Sequence, residues 1–236
     1  MKLSVLVPVY NEERTLAEVV RRVCAFPMAK EIILVDDGSK DKSREILTRL
    51  QEENQRANDA LNQIKVFFQA QNQGKGAALK AALSYVTGDI VLVQDADLEY
   101  DPADYPALLE PITKGLADVV YGSRFAGGGA HRVLFFWHSL GNRLLTLISN
   151  MLSNLNLSDM EVGYKVFRAE VLKGIELKSQ RFGFEPEITI KLAKKGCRFY
   201  EVPISYHGRT YEEGKKITWK DGVAALYYMI RFKFVD

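Results

Sequence analysis

The sequence is poor in the residues that staple small folds or build soft metal sites. Two cysteines, Cys24 and Cys197, stand among 236 residues, and neither belongs to a C-x-x-C pair, so a disulfide scaffold is excluded. The three histidines, His131, His138 and His207, are scattered and form no metal-ligand set, and no nucleophilic triad is visible. No apolar run reaches the ~18–20 residues of a bilayer crossing. Nor is there an excess of one charge: 32 basic against 30 acidic side chains argue against a dedicated nucleic-acid binder. Internal repeats, low-complexity tracts and a clear linker are missing too, which favours one domain over residues 1–236. A chain of this length buries roughly 70–75% of its unfolded surface and needs no staple. With Met1-Lys2-Leu3-Ser4 leading straight into a strand-like run rather than a signal-peptide layout, a cytoplasmic protein is expected.

What is present is ordered. Residues 1–190 hold 22 basic and 25 acidic side chains, whereas residues 191–236 hold 10 and 5, so a basic tail follows a near-neutral body. Through the first 125 residues, short apolar runs alternate with amphipathic stretches. Strands are predicted at 3–9, 31–35, 64–69, 89–94 and 118–122. Helices are predicted at 12–26, opened by an Asn11 cap, then through 46–50, at 76–86 and at 106–115. This alternation implies an α/β fold with a mostly parallel sheet flanked by helices, and ligands bound beyond the carboxyl ends of its strands. After Phe125 the pattern breaks into a glycine-rich loop at 126–130 and an amphipathic stretch from 132 to 155. Strands at 164–167 and 199–206 flank a helix at 185–195, and an aromatic, basic helix at 219–234 closes the chain.

Three motifs fall at predicted strand ends. Asp95-Ala96-Asp97-Leu98-Glu99 spaces three carboxylates two residues apart, so extended backbone would bring them to one side. Such a cluster repels itself unless protonated or offset by a hard cation such as Mg²⁺ or Mn²⁺; a solvated acidic turn is the plain alternative. Asp36-Asp37-Gly38-Ser39 is either a helix cap with a glycine turn or a carboxylate site for a nucleoside. Gly74-Lys75-Gly76, opening a helix, could bring backbone N–H groups and an ammonium to phosphate, or be a turn with an exposed lysine. It lacks the P-loop spacing.

Taken in order, Val7-Pro8-Val9-Tyr10-Asn11-Glu12, Val35–Ser39, Asn72–Gly76 and Asp95-Ala96-Asp97 resemble family 2 glycosyltransferases of the GT-A fold. Gly122–Phe125, Asp159 with Gly163-Tyr164-Lys165, Glu201–Ile204, and Arg209 through Gly214-Lys215-Lys216 resemble the polyprenyl-phosphate hexosyltransferase branch. The resemblance implies that Pro8, Tyr10 and Glu12, with Asp36 or Asp37, receive base and ribose. It implies that Asp95, Ala96 and Asp97 hold a metal and the sugar-nucleotide diphosphate. Glu99 joins Asp95 and Asp97 as a metal ligand, at a position often Gln in mannose-transferring members. Arg124 falls near the diphosphate or acceptor phosphate, while Lys75 stays either a nucleotide-sugar phosphate contact or an exposed turn lysine. Arg209 and Lys216 belong to a loop that closes over the donor. Asp159 matches a position proposed as base, although it could equally orient Lys165 or Arg168. Glu187 fits an acidic position of the family helix and is read as structural.

The implied activity is inverting, metal-dependent transfer of a hexose from a nucleotide sugar, of GDP-mannose or UDP-glucose type, to a polyprenyl phosphate. Asp97, Arg124, Asp159 and Lys216 would carry the catalysis. The alternatives are the same donor chemistry on a hydroxyl acceptor, or a silent nucleotide-sugar-binding module. Val133–Trp137 and Leu144–Ile148 are too broken to span a bilayer but suit lying on one, and basic and aromatic tail residues suit an anionic surface. The chain is therefore expected to be peripheral at the cytoplasmic membrane face, alone or held by a membrane subunit. It divides into a nucleotide-sugar half (1–125), an acceptor half with its loop (126–215) and an amphipathic C-terminal segment (216–236).

Overall fold

The structure, a computed structural model, describes residues 1–127, 132–133, 135–179, 181, 183–210 and 219–235. The first half runs β1 (Leu3–Val9), α1 (Leu16–Ala25), β2 (Lys30–Asp36), α2 (Ser43–Ala57), β3 (Asn62–Phe68) and α3 (Lys75–Leu83). It continues through β4 (Ile90–Val93), α4 (Tyr105–Thr113) and β5 (Val119–Ser123). The second half adds α5 (Phe136–Ser153), β6 (Lys165–Arg168), the single turn α6 (Ala169–Leu172), α7 (Phe184–Lys194), β7 (Phe199–Pro203) and α8 (Trp219–Phe234).

The seven strands form one sheet in the order β3-β2-β1-β4-β6-β5-β7, with β6 antiparallel to both neighbours and the other pairs parallel. Central strands covered on both faces should read as unbroken apolar runs, and they do. Leu3, Val5, Leu6, Val7 and Val9 of β1 and Ile32, Ile33, Leu34 and Val35 of β2 are all buried. Each such side chain contributes about 1.5–3 kcal/mol of burial, so the sheet centre is the rigid part of the molecule.

From β1 the chain winds outward to β2 and β3, then crosses back to β4 on the other side of β1. The strand order therefore reverses between β1 and β4, where open α/β sheets leave a crevice for ligands. β4 stops at Val93, opposite Leu6. Pro8, two residues further along β1, lies past that end, where a nitrogen without a proton interrupts no ladder bond.

Helix α1 starts four residues later than its sequence pattern suggests. Asn11 takes a left-handed conformation (φ 51°), which asparagine tolerates, and is not the cap. Residues 12–15 form a turn instead, and Thr15 precedes the helix. The Thr15 hydroxyl donates to the Ala96 carbonyl at 2.7 Å, fastening the start of α1 to the Asp95–Glu99 turn.

Candidate functional site

Four strand ends meet at the crevice. β1 delivers Tyr10 and Glu12, β2 ends in Asp36 and Asp37, β4 leads to Asp95–Glu99, and β5 leads to Arg124.

The acidic turn is not extended. Leu98 is left-handed (φ 61°), a conformation that costs a side-chain-bearing residue roughly 1–2 kcal/mol, and the Glu99 N–H donates to Asp97 Oδ1 at 3.1 Å. The three carboxylates therefore part company rather than line one side. Asp95 turns to Lys75, whose ammonium lies 2.8 Å from its Oδ1. Asp97 and Glu99 turn to Arg209, at 2.8 and 3.3 Å, and the same guanidinium reaches Glu12 at 3.3 Å. Among the described residues, no three His, Cys, Asp or Glu side chains are arranged to hold a metal ion. Convergence of Asp95, Asp97 and Glu99 by strand alternation is thus corrected: their charge is divided between two cationic side chains. Burial, then the neighbouring charges of Asp95 and Glu99, push the Asp97 carboxyl up to about 7, against the opposing pull of Arg209.

Asp36 and Asp37 shape the loops around the crevice. Asp36 accepts the N–H groups of Gly38 and Ser39 and pairs with Arg44 at 3.1 Å. Asp37 accepts the N–H groups of Gln73 and Gly74, each at 2.8 Å, and the Asn72 amide at 2.9 Å. Burial is the main cause of its raised pKa. Gly38 (φ 70°) is needed between them, since a Cβ there would lie 2.6 Å from the Asn72 nitrogen. The Asp36–Ser39 turn and the 72–76 segment are thereby welded into one wall.

Arg124 and Asp159 form the second half of the site. Arg124 grips the fully buried Asp159 through Nε and Nη2, at 2.6 and 2.7 Å, and Nη2 also reaches Asn142 Oδ1 at 3.0 Å. Asp159 thus pairs with Arg124 rather than with Lys165 or Arg168. Lys165 donates to the Met160 carbonyl, and Arg168 lies near Asp118. The backbone at Ser158 and Asp159 is held in turn by Glu201 of β7. Tyr206 joins the two halves: its hydroxyl donates to Glu99 at 3.0 Å, while the Arg124 guanidinium lies 5.3 Å from its ring centre. Glu187 accepts N–H bonds from Lys178 and Ser179 and pairs with Lys191, a structural role.

Several contributors carried no sequence signal: Thr15, Asn142 and Tyr206, and two acidic residues behind the acidic turn. Among the described residues, Glu161 Oε1 and Glu185 Oε2 are buried without hydrogen-bond partners. Burial and the charge of Glu185 push Glu161 up to about 8. Lys216, and most of the 126–130 loop, lie outside the described residues.

On α5, Phe136, Trp137, Leu140, Leu144, Leu147 and Met151 are exposed, Trp137 by 77%. Their spacing places most of them along one side of the helix. On α8, Tyr227, Ile230 and Phe234 are exposed as well. No helix among the described residues is long and apolar enough to cross a membrane.

The point of strand reversal, where open α/β sheets bind ligands, is edged here with carboxylates and two guanidinium groups. The sequence profile described as glycosyl transferase family 2 matches residues 4–175, and the chain belongs to that family. It is 30% identical over 219 residues to a dolichol-phosphate mannosyltransferase of Pyrococcus furiosus, covering 91% of this chain and 59% of the relative. It is 31% identical over 217 residues to an undecaprenyl-phosphate 4-deoxy-4-formamido-L-arabinose transferase of Edwardsiella ictaluri, covering 90% and 62%. The chain thus spans about three fifths of the length of these curated relatives. Among solved structures, it is similar in fold to glucosyl-3-phosphoglycerate synthase from Mycobacterium tuberculosis crystallised with Mn²⁺, UDP and phosphoglyceric acid. That similarity has a TM-score of 0.72 at 19% identity, covering 100% of this chain and 79% of the other. A crystal of the same synthase with Mg²⁺ and UDP gives a TM-score of 0.70 at 20% identity, covering 100% and 80%.

Proposed function

We propose that the chain is an inverting glycosyltransferase that moves a hexose from a nucleotide sugar to a polyprenyl phosphate at the cytoplasmic face of a membrane. The observation that carries this reading is the pairing of Arg209 with Glu12, Asp97 and Glu99 at the strand reversal, beside an Arg124 held by Asp159. Both curated relatives are named for a sugar transfer involving a long-chain polyprenol phosphate, which supports the acceptor class.

Pro8, Tyr10 and Glu12 form the floor for base and ribose, and the wall shaped by Asp36 and Asp37 closes its side. Asp95, Asp97 and Glu99, turned here to Lys75 and Arg209, are oxygen donors of the kind a hard divalent cation, Mg²⁺ or Mn²⁺, takes, and would hold one where those two side chains gave way. Burial first, and then the neighbouring charges of Asp95 and Glu99, raise Asp97 up to about 7, and a cation beside it would favour the ionised form. When bound, such an ion neutralises charge on the departing diphosphate. This chain's own residues do the rest. Arg209 stands where negative charge builds on the leaving group, with Lys216 assigned to the same loop. Arg124 is preorganised by Asp159 and Asn142 to receive phosphate oxygens without reorganising during reaction. Lys75 holds Asp95 in place beside the diphosphate. A phosphate-monoester acceptor is already ionised near neutral pH and needs little help from a base, so Asp159 acts here by orienting Arg124.

The exposed stripe of α5, with the aromatic and basic residues of α8, supports docking on a lipid surface, where the acceptor resides. Incubation with GDP-mannose or UDP-glucose, a divalent cation and undecaprenyl phosphate tests the reading. A lipid-linked β-hexose is expected. Sugar transfer to a soluble hydroxyl acceptor alone would replace it with the alternative.

A further inference from the structure

Glu185 lies on the first turn of α7, beyond the stretch that matches the family profile, which ends at residue 175. Its side chain is only 5% exposed, an unusual place for a carboxylate. Oε1 stands 3.1 Å from the Lys75 ammonium, and that ammonium lies 2.8 Å from Asp95 Oδ1. Oε2 is buried with no hydrogen-bond partner among the described residues, where the lysine is also the one ion-pair partner of the group. The two helix starts are also joined through backbone, as the Gly76 N–H donates to the Arg181 carbonyl at 3.1 Å. On the other side, a Cβ at Gly163 would overlap Asp95 Oδ2, so the carboxylate packs into space that only a glycine leaves there.

Asp95 is therefore held between a bare glycine and a lysine that it shares with a second carboxylate. A lysine paired with Asp95 alone would form a neutral couple and compete with any incoming cation for the aspartate oxygens. Shared between two carboxylates, it leaves the group of three with a net negative charge and draws less on each. We propose that Glu185 is a positioning residue for Asp95: by dividing the charge of Lys75, it keeps the aspartate available to a divalent cation. The proposal rests on the reading of Asp95 as a metal ligand.

Mn²⁺ binding to the full chain, followed by loss of the free-ion electron paramagnetic resonance signal, tests it without any need for turnover. Glu185→Gln keeps the shape and removes the charge; Mn²⁺ affinity is expected to fall about tenfold, within the range of couplings between residues in contact. Glu185→Asp, which restores the charge, should bind within a few fold of the parent. In a Lys75→Met background, Glu185→Gln should change Mn²⁺ affinity no further, because the effect passes through the lysine. Thermal melts of each variant separate loss of fold from loss of binding, and Glu185→Asp carries the test if Glu185→Gln does not fold: a tenfold or greater fall in Mn²⁺ affinity in a folded Glu185→Asp, which keeps the charge, would then overturn the proposal. Parent-like affinity in Glu185→Gln, or an equal loss with and without Lys75, would also overturn it. If the parent binds Mn²⁺ and Asp95→Asn does not, the metal reading stands whatever Glu185 does. If the parent binds none, the reading and the proposal fall together.

Discussion

Arg209 Nη2 donates to Asp97 Oδ2 at 2.8 Å, joining two residues 112 positions apart in the chain. The guanidinium stands among Glu12, Asp97 and Glu99, three carboxylates that would otherwise repel one another. It offsets their charge and, under the proposed function, places a permanent cation where a diphosphate would leave. Arg209→Ala separates these roles. The site becomes more negative, so Mn²⁺ is expected to bind more tightly. Transfer is expected to slow by about 100-fold, the usual cost of losing a preorganised group at developing charge. Mn²⁺ titration beside single-turnover transfer checks both signs. Weaker binding with unchanged transfer would contradict the assignment.

The Asp97 carboxyl, pushed from an ordinary 3.8 up to about 7, ties the site to pH. Between those two values the unfolded chain has released this proton and the folded chain has kept it, so stability falls as pH rises through that window. Asp97→Asn removes the effect and is expected to be more stable than the parent at pH ~8, by about 2 kcal/mol. Because a metal requires the ionised carboxylate, Mn²⁺ affinity of the parent should rise across pH ~6–8. Denaturant melts at both ends of the range, with parallel Mn²⁺ titrations, measure these slopes. A parent stability that climbs from pH ~4 to ~7 together with Asp97→Asn unchanged would exclude the assignment.

The Arg124–Asp159 pair is buried on the aspartate side and bidentate, so removing one partner strands the other. Asp159→Ala is expected to lower stability by about 3 kcal/mol or more. Asp159→Asn preserves shape and tests the role: an orienting aspartate should add no further loss of kcat in an Arg124→Ala background. Additive losses in the double variant, with an altered acid limb of the pH–rate profile, would instead make Asp159 a base.

Trp137 and Phe136 head the exposed stripe of α5. Replacing both with Glu should abolish co-sedimentation with anionic liposomes while leaving nucleotide-sugar binding within about twofold, since surface changes of this kind cost little stability. Undiminished sedimentation would move the docking surface elsewhere.

Much of the architecture was legible because it rests on local pattern. The apolar runs of β1 and β2 and the placement of acidic motifs at strand ends follow from a period and a position. What escaped was tertiary. Nothing local at Leu98 announces a left-handed residue, and that dihedral takes Glu99 off the extended line on which alternation would place it with Asp95 and Asp97. Asn11 looked like a cap because asparagine suits caps, yet it equally suits the left-handed turn it adopts. For Asp159 the sequence left a base and an ion pair with Lys165 or Arg168 as equal readings, whereas β5 brings Arg124 to it from 35 residues away. Glu185 looked like any first-turn acid until the packing of α7 set it against Lys75.

The central claim is that this crevice transfers a hexose onto a lipid phosphate using Asp97. Its most direct test is transfer of labelled sugar from GDP-mannose and UDP-glucose to undecaprenyl phosphate, by the parent and by a folded Asp97→Asn variant, with Mg²⁺ or Mn²⁺ present. The account predicts a lipid-linked product from the parent with one of the two donors and none from the variant. Full activity in Asp97→Asn, or sugar released only to water or a soluble hydroxyl by the parent, would contradict it.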